Sequence, residues 1–122
     1  MVEAPITIQE MAEALLNRNS LQLRQLVQSW LWSKPNATEV RRPTTQDRDT
    51  LVVSAALIEL LALRLNQQPP TWTETVGGLA QPFFVMTLAE KPGFTRELCL
   101  AEAPEPLKRR NIFAPPNFLT MA

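Results

Sequence analysis

The chain has 122 residues, 45% of them apolar, and its 12 basic residues are balanced by 12 acidic ones. That length fits one domain, residues 1–122, with a real core, and zero net charge gives no global pull toward nucleic acid or an anionic membrane. With no histidine and one cysteine, Cys99, the chain lacks the parts for Ser-His or Cys-His catalysis, most metal sites and any intrachain disulfide.

In chain order, the opening Met-Val-Glu-Ala-Pro has no basic region followed by an apolar run, so no secretory signal is expected. Thr7 and Glu10 have the spacing of a capping box, with Ile6 and Met11 as a hydrophobic staple. Ile8, Met11, Ala12, Leu15 and Leu16 then make a helical stripe, which Asn17-Arg18-Asn19 ends. Ser20 is the predicted cap of a second helix. Its stripe is Leu23, Leu26, Val27, Trp30 and Leu31, and Pro35 stops it. Gln22, Arg24, Gln25 and Gln28 lie on its polar side, an ordinary solvated face. Residues 33–46 read as a solvated linker that carries Lys34, Arg41 and Arg42.

Thr44 or Thr45 is the predicted cap of a central helix over about 45–66, with Asp47 and Asp49 at the positive end of its dipole. Within it, residues 51–65 are apolar except for Ser54, Glu59 and Arg64. At about 100° per residue these three point in different directions, so the helix has no wet face and should be surrounded. Fifteen residues reach about 22 Å, short of the roughly 30 Å hydrocarbon layer, so burial in protein is predicted rather than a membrane span. Glu59 is the exception that matters. A buried carboxylate must be paired, hydrogen-bonded or protonated, and Arg96, Arg109 and Arg110 are the candidate partners.

Eight of the 11 prolines lie from position 69 onward, so the second half is punctuated. Gln67-Gln68-Pro69-Pro70-Thr71-Trp72 is a helix stop followed by an extended turn, and Gly77-Gly78 marks a bend. Pro82-Phe83-Phe84-Val85-Met86 is apolar and fits either a strand or one turn of helix. Thr95 is the predicted cap of a helix running to about Ala103, with Leu98, Cys99 and Ala101 inward. Cys99 reads as a small core residue. Pro104-Glu105-Pro106 opens a short helix carrying Lys108-Arg109-Arg110. The ending, Asn111 to Ala122, is too apolar to be free and should pack on the domain or on a partner. The expected fold is all-α. It is a compact bundle of about five helices around one buried central helix, with a proline-rich, partly irregular C-terminal half wrapping it.

Pro69-Pro70-Thr71-Trp72, Gln81-Pro82-Phe83-Phe84-Val85 and Arg109-Arg110-Asn111-Ile112-Phe113 through Leu119-Thr120-Met121-Ala122 follow one another in a suggestive order. From about residue 50 to 122 the chain resembles small bacterial proteins encoded beside nucleotidyltransferase-like toxins and regarded as antitoxins. Two features depart from that family. The N-terminus carries no recognisable DNA-binding domain, and Ala114-Pro115-Pro116-Asn117 is richer in proline. The resemblance implies protein binding, with a nucleotidyltransferase-like toxin as partner, and no catalysis.

The residues themselves point the same way. The possible general acids or bases, Glu10, Glu39, Glu59 and Glu90, are isolated, none beside a second carboxylate, a glycine-rich phosphate loop or a metal motif, so neither catalytic residues nor a cofactor or metal are expected. Trp72, Phe83, Phe84, Ile112, Phe113 and Phe118, with Arg109 and Arg110 nearby, have the composition of an interface. A non-enzymatic, cytoplasmic protein-binding module is expected, its partner another protein or a second copy. The alternative is a nucleic-acid-binding helical protein using Arg41, Arg42, Lys108, Arg109 and Arg110.

Overall fold

A computed structural model describes residues 6–119. Residues 1–5 and 120–122 lie outside the described residues; of the apolar ending expected to pack, Ile112, Ala114 and Leu119 are in the main core and Phe118 packs against it. The structure is mainly helical. Its α-helices are α1 (Ile8–Leu16), α2 (Ser20–Trp32), α3 (Arg48–Arg64), α4 (Phe94–Glu102) and α5 (Glu105–Lys108). Short 3₁₀ turns occupy Ala37–Glu39, Thr71–Thr75 and Thr87–Glu90.

The capping box at α1 is present in full. Thr7 Oγ1 accepts from the Glu10 N–H (3.2 Å), and the Glu10 carboxylate accepts from the Thr7 N–H (3.4 Å). The helix ends with Arg18 in the left-handed region (φ 54°), where Asn19 N–H reaches back to Ala14 C=O and Arg18 N–H to Leu15 C=O. This pair of hydrogen bonds turns the chain sharply. Asn19, not Ser20, then caps α2, accepting from Gln22 N–H at 3.2 Å. The asparagine is already held at the turn, so the cap falls one residue earlier than the pattern suggests.

α3 starts at Arg48 rather than near 45, and neither predicted threonine caps it. Thr45 Oγ1 instead accepts from Asp47 N–H (3.1 Å), and Asp47 accepts from the Thr50 hydroxyl (2.6 Å). The threonine thus orders the approach and the aspartate occupies the cap position. The far end closes on Asn66 (φ 57°), with Gln67 N–H on Ala62 C=O and Asn66 N–H on Leu63 C=O.

Between those ends the residues from Val52 to Ala62 are all buried. α1 packs along α3, and α5 and the 3₁₀ turns at Ala37–Glu39 and Thr71–Thr75 also touch it. Ser54, Ala55, Ala56 and Ala62 leave room for close approach, and Ser54 returns its hydroxyl to Thr50 C=O (2.7 Å). α2 packs on α1. The linker is more tied down than a solvated loop. Ala37 is buried and its N–H donates to the Gln67 side chain (2.8 Å), while the Thr38 hydroxyl donates to Gln68 C=O (2.6 Å).

Residues 82–86 are extended rather than helical. β1 (Phe83–Phe84) pairs in parallel with β2 (Ile112–Phe113), with Phe83 beside Ile112 and Phe84 beside Phe113. The ladder is lengthened by Leu79 N–H to Arg110 C=O (2.9 Å), Phe83 N–H to Asn111 C=O (2.9 Å) and Val85 N–H to Phe113 C=O (3.0 Å). α4 starts at Phe94 with Gly93 as its cap, two residues before the predicted cap Thr95, and the Gly93 φ of 151° suits glycine. Ala101 is exposed rather than inward, whereas Cys99 is fully buried. Phe84, Ala89 and Cys99 form a small second core apart from the main one.

Candidate interaction site

Glu59 lies in the middle of α3 at 6% exposure, and Arg110 beyond α5 at 4%. Arg110 Nη1 donates to Glu59 Oε1, and its Nη2 to Oε2 at 3.3 Å. Arg109 Nη2 also donates to Oε1. The Arg110 guanidinium is shared further with the carbonyls of Thr73 (3.0 Å), Pro106 (3.4 Å) and Val76 (3.4 Å). Burial pushes the Glu59 pKa up, but the hydrogen bonds from Arg110 and Arg109 and the Arg110 charge outweigh it, leaving Glu59 below the ordinary carboxylate range. The carboxylate is therefore held ionised and is a poor proton shuttle. The cluster joins α3, the turn after Trp72 and the segment after α5.

The bend at Gly77-Gly78 lies against this cluster. A Cβ on Gly78 would stand 3.0 Å from Arg110 Cα and 3.2 Å from its carbonyl carbon and oxygen, all backbone atoms. Gly78→Ala is therefore expected to destabilise the chain by about 1–3 kcal/mol through forced displacement, seen as a lower urea midpoint with unchanged slope.

The aromatic residues are held by the chain itself. Trp72 Nε1 donates to Val40 C=O (2.8 Å). The Arg18 guanidinium lies 4.8 Å from the Phe83 ring centre, and its Nε donates to Phe84 C=O (3.2 Å) while Nη2 pairs with Glu90 (3.0 Å). Phe84 packs on Phe113 with ring centres 5.5 Å apart, and Arg96 covers Phe84 at 4.7 Å. Ile112 is fully buried, and Phe118 is half-buried, its carbonyl accepting from Arg64 (3.0 Å). Of the eight residues with interface composition, only Arg109 is exposed, its side chain 51% so.

The apolar surface lies elsewhere. Trp32 is 88% exposed, Phe94 81%, Leu21 67% and Leu63 61%, with Leu88 and Met86 also outward. The signal for Trp32 and Leu21 was in the sequence, because both fall outside the buried stripe of α2. Beside Leu21 runs a groove of about 530 Å³ between the start of α2 and the segment Pro115–Leu119.

Among the basic residues, Lys108 Nζ is taken by Ala101 C=O (3.1 Å) and Arg109 and Arg110 by Glu59, while Arg41 and Arg42 are exposed. Among the described residues no three His, Cys, Asp or Glu side chains cluster as metal ligands, and no helix is long and apolar enough to cross a membrane. No known protein family, curated protein or solved structure matches the chain.

Proposed function

We propose that this chain is a non-enzymatic protein-binding module, antitoxin-like in role and cytoplasmic. In it a bundle of about five helices is wrapped by the proline-rich second half. The observation that carries this reading is the exposed apolar set, with Trp32 and Phe94 foremost, on a chain of zero net charge. Large exposed aromatics are the usual anchors of protein interfaces. The buried ion cluster and the self-packed motif residues act as scaffold. The sequence resemblance supplies the partner class, a nucleotidyltransferase-like toxin.

The basic residues favour this reading over nucleic-acid binding, because most of the Lys108–Arg110 cluster is spent on internal contacts. The test is co-expression with a nucleotidyltransferase-like toxin encoded beside this chain, followed by affinity purification. Co-purification and relief of toxicity are expected, and both should be lost in Trp32→Ala or Phe94→Ala. If neither substitution matters and the chain binds nucleic acid with an affinity that falls steeply between low and moderate salt, the reading fails.

A further inference from the structure

We propose that the outer face of α2 docks a second copy of this chain in antiparallel register, Trp32 of each copy entering the groove beside Leu21 of the other. This rests on the protein-binding reading above and gives it a surface and a partner. The inner side of α2, through Leu23, Val27 and Trp30, is buried. Its outer side carries Leu21, Gln25, Gln28 and Trp32, all exposed. At about 100° per residue these four positions fall within roughly 60° of one another around the axis. They form one stripe with the spacing by which one helix meets another.

The stripe is self-complementary. Its steps of four, three and four residues read the same from either end. Run antiparallel against itself, it sets Leu21 opposite Trp32 and Gln25 opposite Gln28 at both ends, as a two-fold contact requires. The paired glutamine amides can each donate and accept. A parallel arrangement would set Trp32 against Trp32, at the end of α2 away from the groove.

Size agrees with this register. The groove of about 530 Å³ at the Leu21 end is lined also by Leu15, Leu23, Val85, Phe118 and Leu119. A tryptophan buries roughly 150–250 Å² when enclosed, and Trp32 at the opposite end of the same helix is 88% exposed. Each copy thus offers an apolar groove at one end of α2 and an uncovered indole at the other.

Sedimentation velocity of the full chain across a dilution series tests this. A monomer–dimer equilibrium is expected, with Trp32→Ala and Leu21→Glu each raising the dissociation constant by about tenfold or more. Both sites are exposed, so thermal unfolding measured on the monomer should hardly change. Disulfide trapping reads the register. Positions 21 and 32 lie roughly 16 Å apart along the axis, so a chain with Leu21→Cys should link to one with Trp32→Cys, and neither to itself. That mixed dimer keeps one intact Trp32–Leu21 contact, and native Cys99 is buried.

A chain that stays monomeric at every concentration overturns the proposal, as does Leu21→Cys linking to itself. If the chain is monomeric yet Trp32→Ala abolishes binding to a toxin, the self-docking proposal falls and the binding-module reading stands. If it dimerises in this register and binds no toxin, self-docking stands and the antitoxin-like role falls.

Discussion

Arg110→Ala is expected to cost about 3–5 kcal/mol of stability, the usual penalty for leaving a buried charge without its partner. Glu59 would keep the Thr73 hydrogen bond and, as counterion, Arg109, which is half in water and weaker. The Thr73 and Val76 carbonyls would lose their donor as well. Urea denaturation at neutral pH measures the loss, and a change under about 1 kcal/mol would mean that the cluster is incidental to the fold. Removing both charges, as in Glu59→Leu with Arg110→Met, should cost less than Arg110→Ala alone, because no buried ion is left unpaired and Arg109 is half in water.

The same cluster sets an acid limb. The Glu59 pKa is lowered in the folded chain, so its stabilising effect is complete above the unfolded carboxylate value, about 4.3. It is lost as pH falls through the lower folded value. Glu59→Gln should be less stable than the parent at neutral pH. Below the ordinary carboxylate range the two should converge, as the parent also loses its charge. Parallel pH–stability curves for the two would contradict this.

The second large effect concerns two leucines of one helix. Leu57 is fully buried and Leu63 is 61% exposed. Leu57→Ala is expected to cost about 2–5 kcal/mol from lost burial and a residual cavity. Leu63→Ala should stay within about 0.5 kcal/mol. Thermal or urea unfolding of the two variants measures both. Equal losses would mean that α3 does not sit in the packing described.

Much of α3 was legible because composition alone decides it: a run with no wet face must be covered. That Glu59 needs a partner was also readable, since a mid-helix carboxylate among leucines has few alternatives. Which arginine serves was not, because Arg109 and Arg110 reach it only after the chain has passed through Trp72, β1 and α4. The pairing of Phe83 with Ile112 is hidden for the same reason, since nothing local in a two-residue strand announces a partner so far along the chain.

Helix starts were readable to within one to three residues. Asn19, Ser20, Thr45 and Asp47 are all competent caps, and tertiary placement chooses among them. The exposed apolar surface was the hardest to read. Aromatic composition drew attention to Phe83, Phe84 and Phe113, but arginines from distant segments cover two of these rings. Trp32 and Leu21 fall outside the predicted stripe of α2, which marks them as outward but not as an apolar surface beside a groove.

The small second core has a consequence for motion. Phe84, Ala89 and Cys99 carry it, with Leu100 and Phe113 at its edge, while the main core holds most of the buried residues of α1 and α3. Opening a unit that buries so little costs far less than global unfolding. The lobe around residues 84–103 should therefore exchange its amide hydrogens by a separate, lower-energy opening, while α1 and α3 stay closed. The Arg18 contacts with Phe83, Phe84 and Glu90 would have to break with the β1–β2 pairing when that lobe lifts.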